Sequence, residues 1–192
     1  QIKWLDTDAK SHWKVTPENL AKLCASDPDR PRLIILNYPS NPHGYTYSSA
    51  ELEAIAAVAR KYRMLVLADE IYGEVHFLGE HTSIAQYYPE GTIVSSGLSK
   101  WCGAGGWRLG TFAFPAQLQW LKNAMATAAS ETYTSTSAPI QYAAVKAFQG
   151  GAEIAEYLFQ SRRVLSHLAH TLVARLNQAG FDIAPTHGGF YL

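Results

Sequence analysis

The stretch MLVLADE, residues 64–70, is a short apolar run that ends at two acids. Its length and apolar character predict a strand buried on both faces, and LIIL (33–36) is a second run of the same kind. Between them, Ser48 and Glu51 form the capping-box pattern S-x-x-E, after which apolar residues recur at helical spacing. A strand–helix–strand unit of this length predicts two parallel strands, and therefore an α/β fold.

Two further strands are predicted downstream, at TIVSS (92–96) and TFAF (111–114). The connection between them is too short for the crossover that parallel strands need. We therefore expect the fourth strand to run antiparallel to the third. The start of the fourth strand, where Arg108 lies, then falls on the same sheet edge as Lys100, which follows the third.

Helical periodicity continues through the second half of the chain, at 116–129, about 136–149 and 152–178. The last of these helices would be roughly 40 Å long, which is enough to join two domains. The predicted fold is a three-layer αβα arrangement with a mostly parallel sheet, followed by the start of a small α+β domain. The predicted divisions are a partial large domain (1–150), an interdomain helix (151–178) and the start of a truncated small domain (179–192).

Composition narrows the classes of function. The chain has 16 acids and 16 Lys plus Arg, so no overall basic charge favours nucleic acid or an anionic membrane. No apolar run is long enough to span a membrane. Cys24 and Cys102 give no disulfide framework, and the seven histidines lack the spacing of a metal site. We expect a cytoplasmic protein with no metal and with neither nucleic acid nor membrane as partner.

Polar side chains follow the apolar strands at their carboxyl ends. Ligands of open α/β sheets bind in the crevice outside these ends. The residues predicted to meet there are Asn41, Asp69, Tyr72, Lys100 and Arg108.

An amine, a carboxylate, a phenol, an amide and a guanidinium together suit pyridoxal phosphate. A lysine amine condenses with its aldehyde as a Schiff base, and a carboxylate holds its pyridine nitrogen protonated. The phenol and the amide can hydrogen-bond the ring hydroxyl. A guanidinium matches a phosphate through two parallel hydrogen bonds. The residue set therefore predicts this cofactor.

Three motifs carry a resemblance to a known family: NYPSNPHG (37–44), ADEIY (68–72) and SKWCGAGGWRLG (99–110). In this order they resemble the class I/II aminotransferases, which are pyridoxal-phosphate enzymes of fold type I. The resemblance implies the large domain of that fold and a homodimer whose sites are completed by the partner subunit. It also implies transfer of an amino group between an amino acid and a 2-oxo acid.

The resemblance assigns a role to each predicted site residue. Lys100 would form the Schiff base and then move protons, and Asp69 would pair with the pyridine nitrogen. Tyr72 and Asn41 would hydrogen-bond the ring oxygen, and Arg108 would bind the phosphate. Lys100, Asp69 and Tyr72 are thus the expected catalytic residues, and all five are expected to bind the cofactor.

The chain departs from the family pattern at two positions. His43 stands where the family usually has threonine, which affects a turn more than the chemistry. Gly97 stands where many members have a phosphate-binding serine, a role that Ser96 or Ser99 would have to supply. A cis bond is expected between Asn41 and Pro42. The family's upstream phosphate loop and downstream carboxylate-binding arginine are expected to lie outside these 192 residues.

Other functions stay open at this point. A carbon–sulfur lyase, or another fold type I enzyme, could use the same centre, because the residues on the substrate side determine which reaction the cofactor supports. A transcription regulator that senses pyridoxal phosphate would also keep the lysine. A nucleotide hydrolase could use the acid after MLVLA, but the sequence contains no G-x-x-x-x-G-K-[ST] loop.

Overall fold

The computed structural model describes residues 2–30 and 32–192. Within these ranges the strands are β1 (Leu33–Asn37), β2 (Leu65–Asp69), β3 (Thr92–Gly97) and β4 (Gly110–Ala113). The α-helices are α1 (Pro17–Ala25), α2 (Ser49–Lys61), α3 (Gln119–Ser130), α4 (Ala138–Gln149) and α5 (Ala152–Gln178). Every strand and helix expected from the sequence is present, and α1 is an additional helix that the periodicity did not indicate.

The four strands form one sheet in the order β1-β2-β3-β4. The first three are parallel, and β4 is antiparallel to β3, which confirms the prediction made from the short connection. Asn37, Asp69 and Ser95 are register partners across β1, β2 and β3. The ends of these strands therefore place three polar residues side by side at one edge of the sheet.

The predicted capping box starts α2. Ser48 Oγ accepts from the backbone N–H of Glu51 at 3.3 Å, and Glu51 Oε2 accepts from the backbone N–H of Ser48 at 2.7 Å. The two residues thus satisfy each other's free amides at the helix start. The helix then buries its apolar face, including Leu52 and Ile55, in a core that contains Val66 of β2.

The sequence predicts strands that are buried on both faces, but β1 is buried on one face only. This holds for the described residues, 2–30 and 32–192. Ile34 and Leu36 are buried on the side of α1 and α2. Leu33 and Ile35 alternate with them and are 56% and 63% exposed. The period of two along a strand explains this alternation, since only one face of β1 carries helices in the described ranges.

A second apolar cluster fixes the loop after β3. Leu98 and Trp101 are buried with Val75, and Leu158 and Leu165 of α5 pack against them. Lys100 lies between two anchored residues, so its backbone position is set by this cluster. Among the described residues, no helix combines the length and apolarity needed to cross a membrane.

Candidate active site

Asp69 ends β2 as a half-buried carboxylate with local hydrogen-bond support. Its Oδ2 accepts from Asn37 Nδ2 at 3.1 Å, and its Oδ1 accepts from the backbone N–H of Ile71 at 3.4 Å. Burial raises the pKa of Asp69 above its ordinary value, while these two hydrogen bonds act in the opposite direction. A carboxylate held in this way is suited to pair with a cationic ring nitrogen.

Tyr72 and Asn41 meet as the sequence predicts. Tyr72 is 2% exposed, and Asn41 Nδ2 donates to its phenolic oxygen at 3.4 Å. The Asn41–Pro42 bond is cis, as expected, and the Tyr38–Pro39 bond is also cis. The phenol and the amide therefore present a paired set of polar atoms at the sheet edge.

Lys100 lies beside this pair. Its Nζ atom is 5.6 Å from the ring centroid of Tyr72 and 5.7 Å from that of Phe190. Both distances fall within the range of cation–π attraction. The structure thus brings Asn41, Tyr72 and Lys100 together, and adds Phe190, which sequence reasoning missed.

Arg108 lies at the same end of the sheet as Lys100, as predicted, because Gly97 of β3 and Gly110 of β4 are register partners. It adopts a left-handed backbone conformation, with φ 55°, and its Nη1 donates to the carbonyl of Gly105 at 2.7 Å. The described residues show no hydrogen bond or ion pair that joins its side chain to Lys100 or Asp69. The structure therefore leaves Arg108 outside the contacts of the other predicted site residues.

Strand β3 connects the two parts of the site. Arg108 lines a cavity of about 620 Å³ together with Ser95 and Ser96, and Ser95 is the register partner of Asp69. Most of the remaining walls are hydroxyl residues and glycines, and none of the lining residues is acidic. Hydroxyls and a guanidinium without a competing carboxylate suit a phosphate group.

The segment formed by residues 186–191 docks against the candidate site, which local sequence patterns did not indicate. The backbone N–H of His187 donates to the carbonyl of Gly44 at 2.9 Å, and that of Gly189 donates to the carbonyl of Val75 at 2.8 Å. These bonds join the end of the chain to the turns that follow β1 and β2.

The glycines of this segment permit its close approach. A Cβ at Gly188 would lie 2.7 Å from the carbonyl oxygen of Val75, and Gly189 has φ 75°. The segment then places Phe190 and Tyr191 against Tyr72, with ring centroids 5.5 Å and 6.3 Å away in edge-to-face orientations. The one sequence signal for this contact is the pair of glycines before two aromatic residues.

A buried polar network holds the chain next to Asp69. Glu70 Oε1 accepts from Tyr38 Oη at 3.0 Å and from Ser83 Oγ at 2.6 Å. Its Oε2 pairs with His81 Nε2 at 2.9 Å. Tyr38 follows β1, whereas His81 and Ser83 belong to one loop, so the network ties the turn that carries Tyr72 to two other parts of the chain.

The buried His76 and the partly buried His187 predict how the free energy of unfolding depends on pH. Burial is the main cause that lowers the pKa of His76 and of His187 below the ordinary 6.5. The unfolded chain therefore takes up protons first as pH falls, so the free energy of unfolding should decrease below about pH 6.5 and be insensitive to these groups above it. The other charged or titratable groups that face the two rings are His81, Arg162, Lys14, His12 and Glu51.

Urea unfolding of the full-length protein between pH 5 and pH 8 measures this dependence (the window brackets the roughly 6.5 of free histidine). His76→Gln should make the free energy of unfolding depend less steeply on pH, because the substitution removes one titrating group. His167→Gln, at an exposed position of α5, should retain the wild-type slope. Equal slopes for the wild type and His76→Gln would contradict the prediction.

Sequence comparison places the chain among well-described relatives. The family model for aminotransferase class I and II matches residues 2–192. An aspartate aminotransferase of Bacillus sp. (strain YM-2) is 34% identical over 194 residues, which cover 98% of this chain and 47% of that protein. An asparagine–oxo-acid transaminase of Streptococcus mutans is 32% identical, with 98% and 47% covered. The chain spans about half the length of the curated relatives it matches.

Solved structures agree with this placement. A double mutant of Thermus thermophilus aspartate aminotransferase superposes with a TM-score of 0.88 at 26% identity, over 96% of this chain and 47% of that one. An aromatic aminotransferase from Pyrococcus horikoshii superposes with a TM-score of 0.85 at 28% identity, over 96% and 48%. Sequence and backbone thus point to the same fold type I architecture.

Proposed function

Because this chain belongs to the aminotransferase class I and II family, we propose that the complete protein moves an amino group between an amino acid and a 2-oxo acid, with pyridoxal phosphate as cofactor. One observation supports this most directly. The amine of Lys100 lies 5.6 Å from the ring of Tyr72, whose phenol accepts a hydrogen bond from Asn41. An amine that can bond the cofactor thus lies at one sheet edge with a phenol and an amide that can hold the ring oxygen of the cofactor.

The donor set fits pyridoxal phosphate. Asp69 would face the ring nitrogen, and Tyr72 with Asn41 would hold the ring oxygen. The cavity lined by Arg108 and hydroxyl residues would take the phosphate. When bound, the cofactor supplies an aldehyde that condenses with amines and a ring that accepts the electron pair released at the substrate α-carbon.

The protein's own residues then hold and move protons. Lys100 Nζ would take the proton from the α-carbon of the amino acid and release it again within the first half of the cycle; in the second half it would deliver a proton to the α-carbon derived from the 2-oxo acid. The rings of Tyr72 and Phe190 both lie within the range of cation–π attraction to this amine, which would help to hold it in place. The carboxylate of Asp69 would lie next to the ring nitrogen and would favour the protonated form of that nitrogen.

The names of the relatives support a substrate class. Two of them are aspartate aminotransferases, and a third transfers the amino group of asparagine. We therefore propose aspartate or a closely related amino acid as donor. We also propose that the full protein is a cytoplasmic homodimer, and that α5 joins the large domain to a small domain that begins near residue 179.

An absorption measurement with an amino-transfer assay tests the proposal. Full-length protein purified with pyridoxal phosphate should show a visible absorption band that survives dialysis and is fixed by borohydride. Addition of L-aspartate should convert that band, and a 2-oxo acid should restore it with formation of a new amino acid. Absence of the band would overturn the cofactor assignment. A band without amino transfer to any 2-oxo acid would instead favour a sensor, and release of ammonia and a thiol would favour a lyase.

A further inference from the structure

We propose that His81 is a positioning residue for Tyr72: its ring supports both ends of the turn formed by residues 70–73, which carries that tyrosine. The role of Tyr72 in the reaction rests on the proposed function, whereas the support of the turn does not. Two separate contacts of the His81 ring carry the inference, one with Glu70 and one with Gly73.

The turn is short and begins directly at the end of the sheet. The backbone N–H of Glu70 donates to the carbonyl of Ser95 at 2.9 Å, which joins the start of the turn to β3. The backbone N–H of Gly73 donates to the carbonyl of Glu70 at 2.8 Å and closes the turn. Tyr72 lies inside this closed turn, so a displacement of either end also displaces the backbone of Tyr72.

The first contact of His81 is with the side chain of Glu70. His81 Nε2 and Glu70 Oε2 are 2.9 Å apart, and the glutamate is 8% exposed. Within residues 2–30 and 32–192, this is the one hydrogen bond that Glu70 Oε2 forms. A buried carboxylate oxygen without a partner is unfavourable, so removal of the imidazole would release the side chain that starts the turn.

The second contact is with Gly73, at the end of the turn. A Cβ at Gly73 would lie 3.0 Å from Cδ2 of His81 and 3.3 Å from its Cγ. Both distances are shorter than the optimal separation of two carbon atoms, so a side chain there would push the ring and the turn apart. The end of the turn therefore packs directly against the imidazole.

Aromatic neighbours hold the His81 ring in its place. Its centroid is 5.2 Å from that of Tyr38, with 33° between the ring planes, and 6.0 Å from that of His76, edge to face. Tyr38 is completely buried, and its phenol accepts from the backbone N–H of Ile84 at 2.8 Å. Aromatic pairs at these separations attract each other, so the ring that supports the turn is fixed from the side of β1 as well.

The geometry at the phenol explains why the position of the turn matters. Asn41 Nδ2 donates to the phenolic oxygen of Tyr72 at 3.4 Å, which is close to the longest distance of a hydrogen bond. A displacement of the turn by a few tenths of an ångström, in the direction away from Asn41, would therefore break this bond. His81 thus controls whether the phenol and the amide stay paired beside Lys100.

Fluorine NMR of the full-length protein without cofactor tests the support of the turn. The probe is 3-fluorotyrosine at position 72. His81→Phe keeps a ring but cannot bond Glu70, and Gly73→Ala pushes the other end of the turn away from the imidazole. Each variant should shift the fluorine resonance of the folded protein, and if one of them fails to fold the other still gives the test. A loss of stability alone would not shift that resonance, because it changes only the fraction of folded molecules.

Steady-state kinetics of the loaded enzyme separate positioning from a structural role. In both variants kcat with L-aspartate should fall by about tenfold with KM nearly constant, as expected when the loss of one hydrogen bond acts on the transition state. His167→Phe, at an exposed position of α5, is the matched control. It should retain the wild-type resonance and the wild-type rates.

The outcomes distinguish this inference from the proposed function. An unchanged Tyr72 resonance in folded His81→Phe and Gly73→Ala would overturn the inference, even if the protein transfers amino groups. A shifted resonance with unchanged kcat would overturn it too, because His81 would then serve the fold alone. A shifted resonance in a protein that binds no pyridoxal phosphate would retain the support of the turn and reject the proposed function.

Discussion

Lys100→Ala is expected to reduce amino transfer by about 10⁴-fold or more, because the variant loses both the amine that bonds the cofactor and the base that moves the α-proton. The fold should tolerate the change. Lys100 is partly exposed and, within residues 2–30 and 32–192, forms no ion pair, so the free energy of unfolding should change by about 0.5 kcal/mol or less. Steady-state rates with L-aspartate and a 2-oxo acid measure the loss.

Two variants make this result specific to the amine. Lys100→Arg keeps the positive charge but cannot act as a base at neutral pH, so it should be as inactive as the alanine variant. Lys146→Ala removes an exposed lysine of α4 and should retain wild-type rates. If Lys100→Arg kept more than about one hundredth of wild-type activity, Lys100 would act as a cation rather than as the reacting amine, since one base contributes about 10²-fold or more.

Sequence reasoning was most successful where the signal is local. The capping box at Ser48 and Glu51 was confirmed, because a cap is determined by residues three apart. The antiparallel pairing of β4 was confirmed as well, because the length of a connection restricts strand direction. The same reasoning predicts Asn41 and Tyr72 at one edge of the sheet, where the structure shows a hydrogen bond between them.

Contacts between distant parts of the chain could not be predicted from local sequence patterns. The segment formed by residues 186–191 contacts Gly44 and Val75, which lie more than a hundred residues earlier in the sequence. Hydrophobic periodicity indicates local structure and does not predict contacts over such a separation. Arg108 lies at the predicted end of the sheet, since Gly97 and Gly110 are register partners, but the hydrogen bond of its side chain to the carbonyl of Gly105 was not predicted. Such details depend on tertiary packing, which local propensity does not encode.

Asp69→Asn is expected to separate activity from stability. The variant keeps the size of the side chain but has one acceptor oxygen in place of two, so it keeps the bond from Asn37 or the bond from Ile71 and loses the other. It also loses the charge that pairs with the ring nitrogen. Removal of one electrostatic partner of a developing charge costs about 10²–10³ in kcat. The turnover of L-aspartate should therefore fall by that factor while the cofactor still binds.

Stability should change much less than turnover, because burial raises the pKa of Asp69 and makes its charged form costly in the folded chain. A raised carboxyl pKa means that the charged form is less favourable in the folded chain than in the unfolded one, so the stability that the protonated carboxyl provides is lost as pH rises through the raised value. At neutral pH the asparagine avoids that loss but gives up one of the two hydrogen bonds, so the melting temperature of the cofactor-free protein should stay close to wild type. Asp182→Asn, at an exposed position, should change neither property. A lower melting temperature with normal turnover in Asp69→Asn would show that Asp69 serves the fold rather than the chemistry.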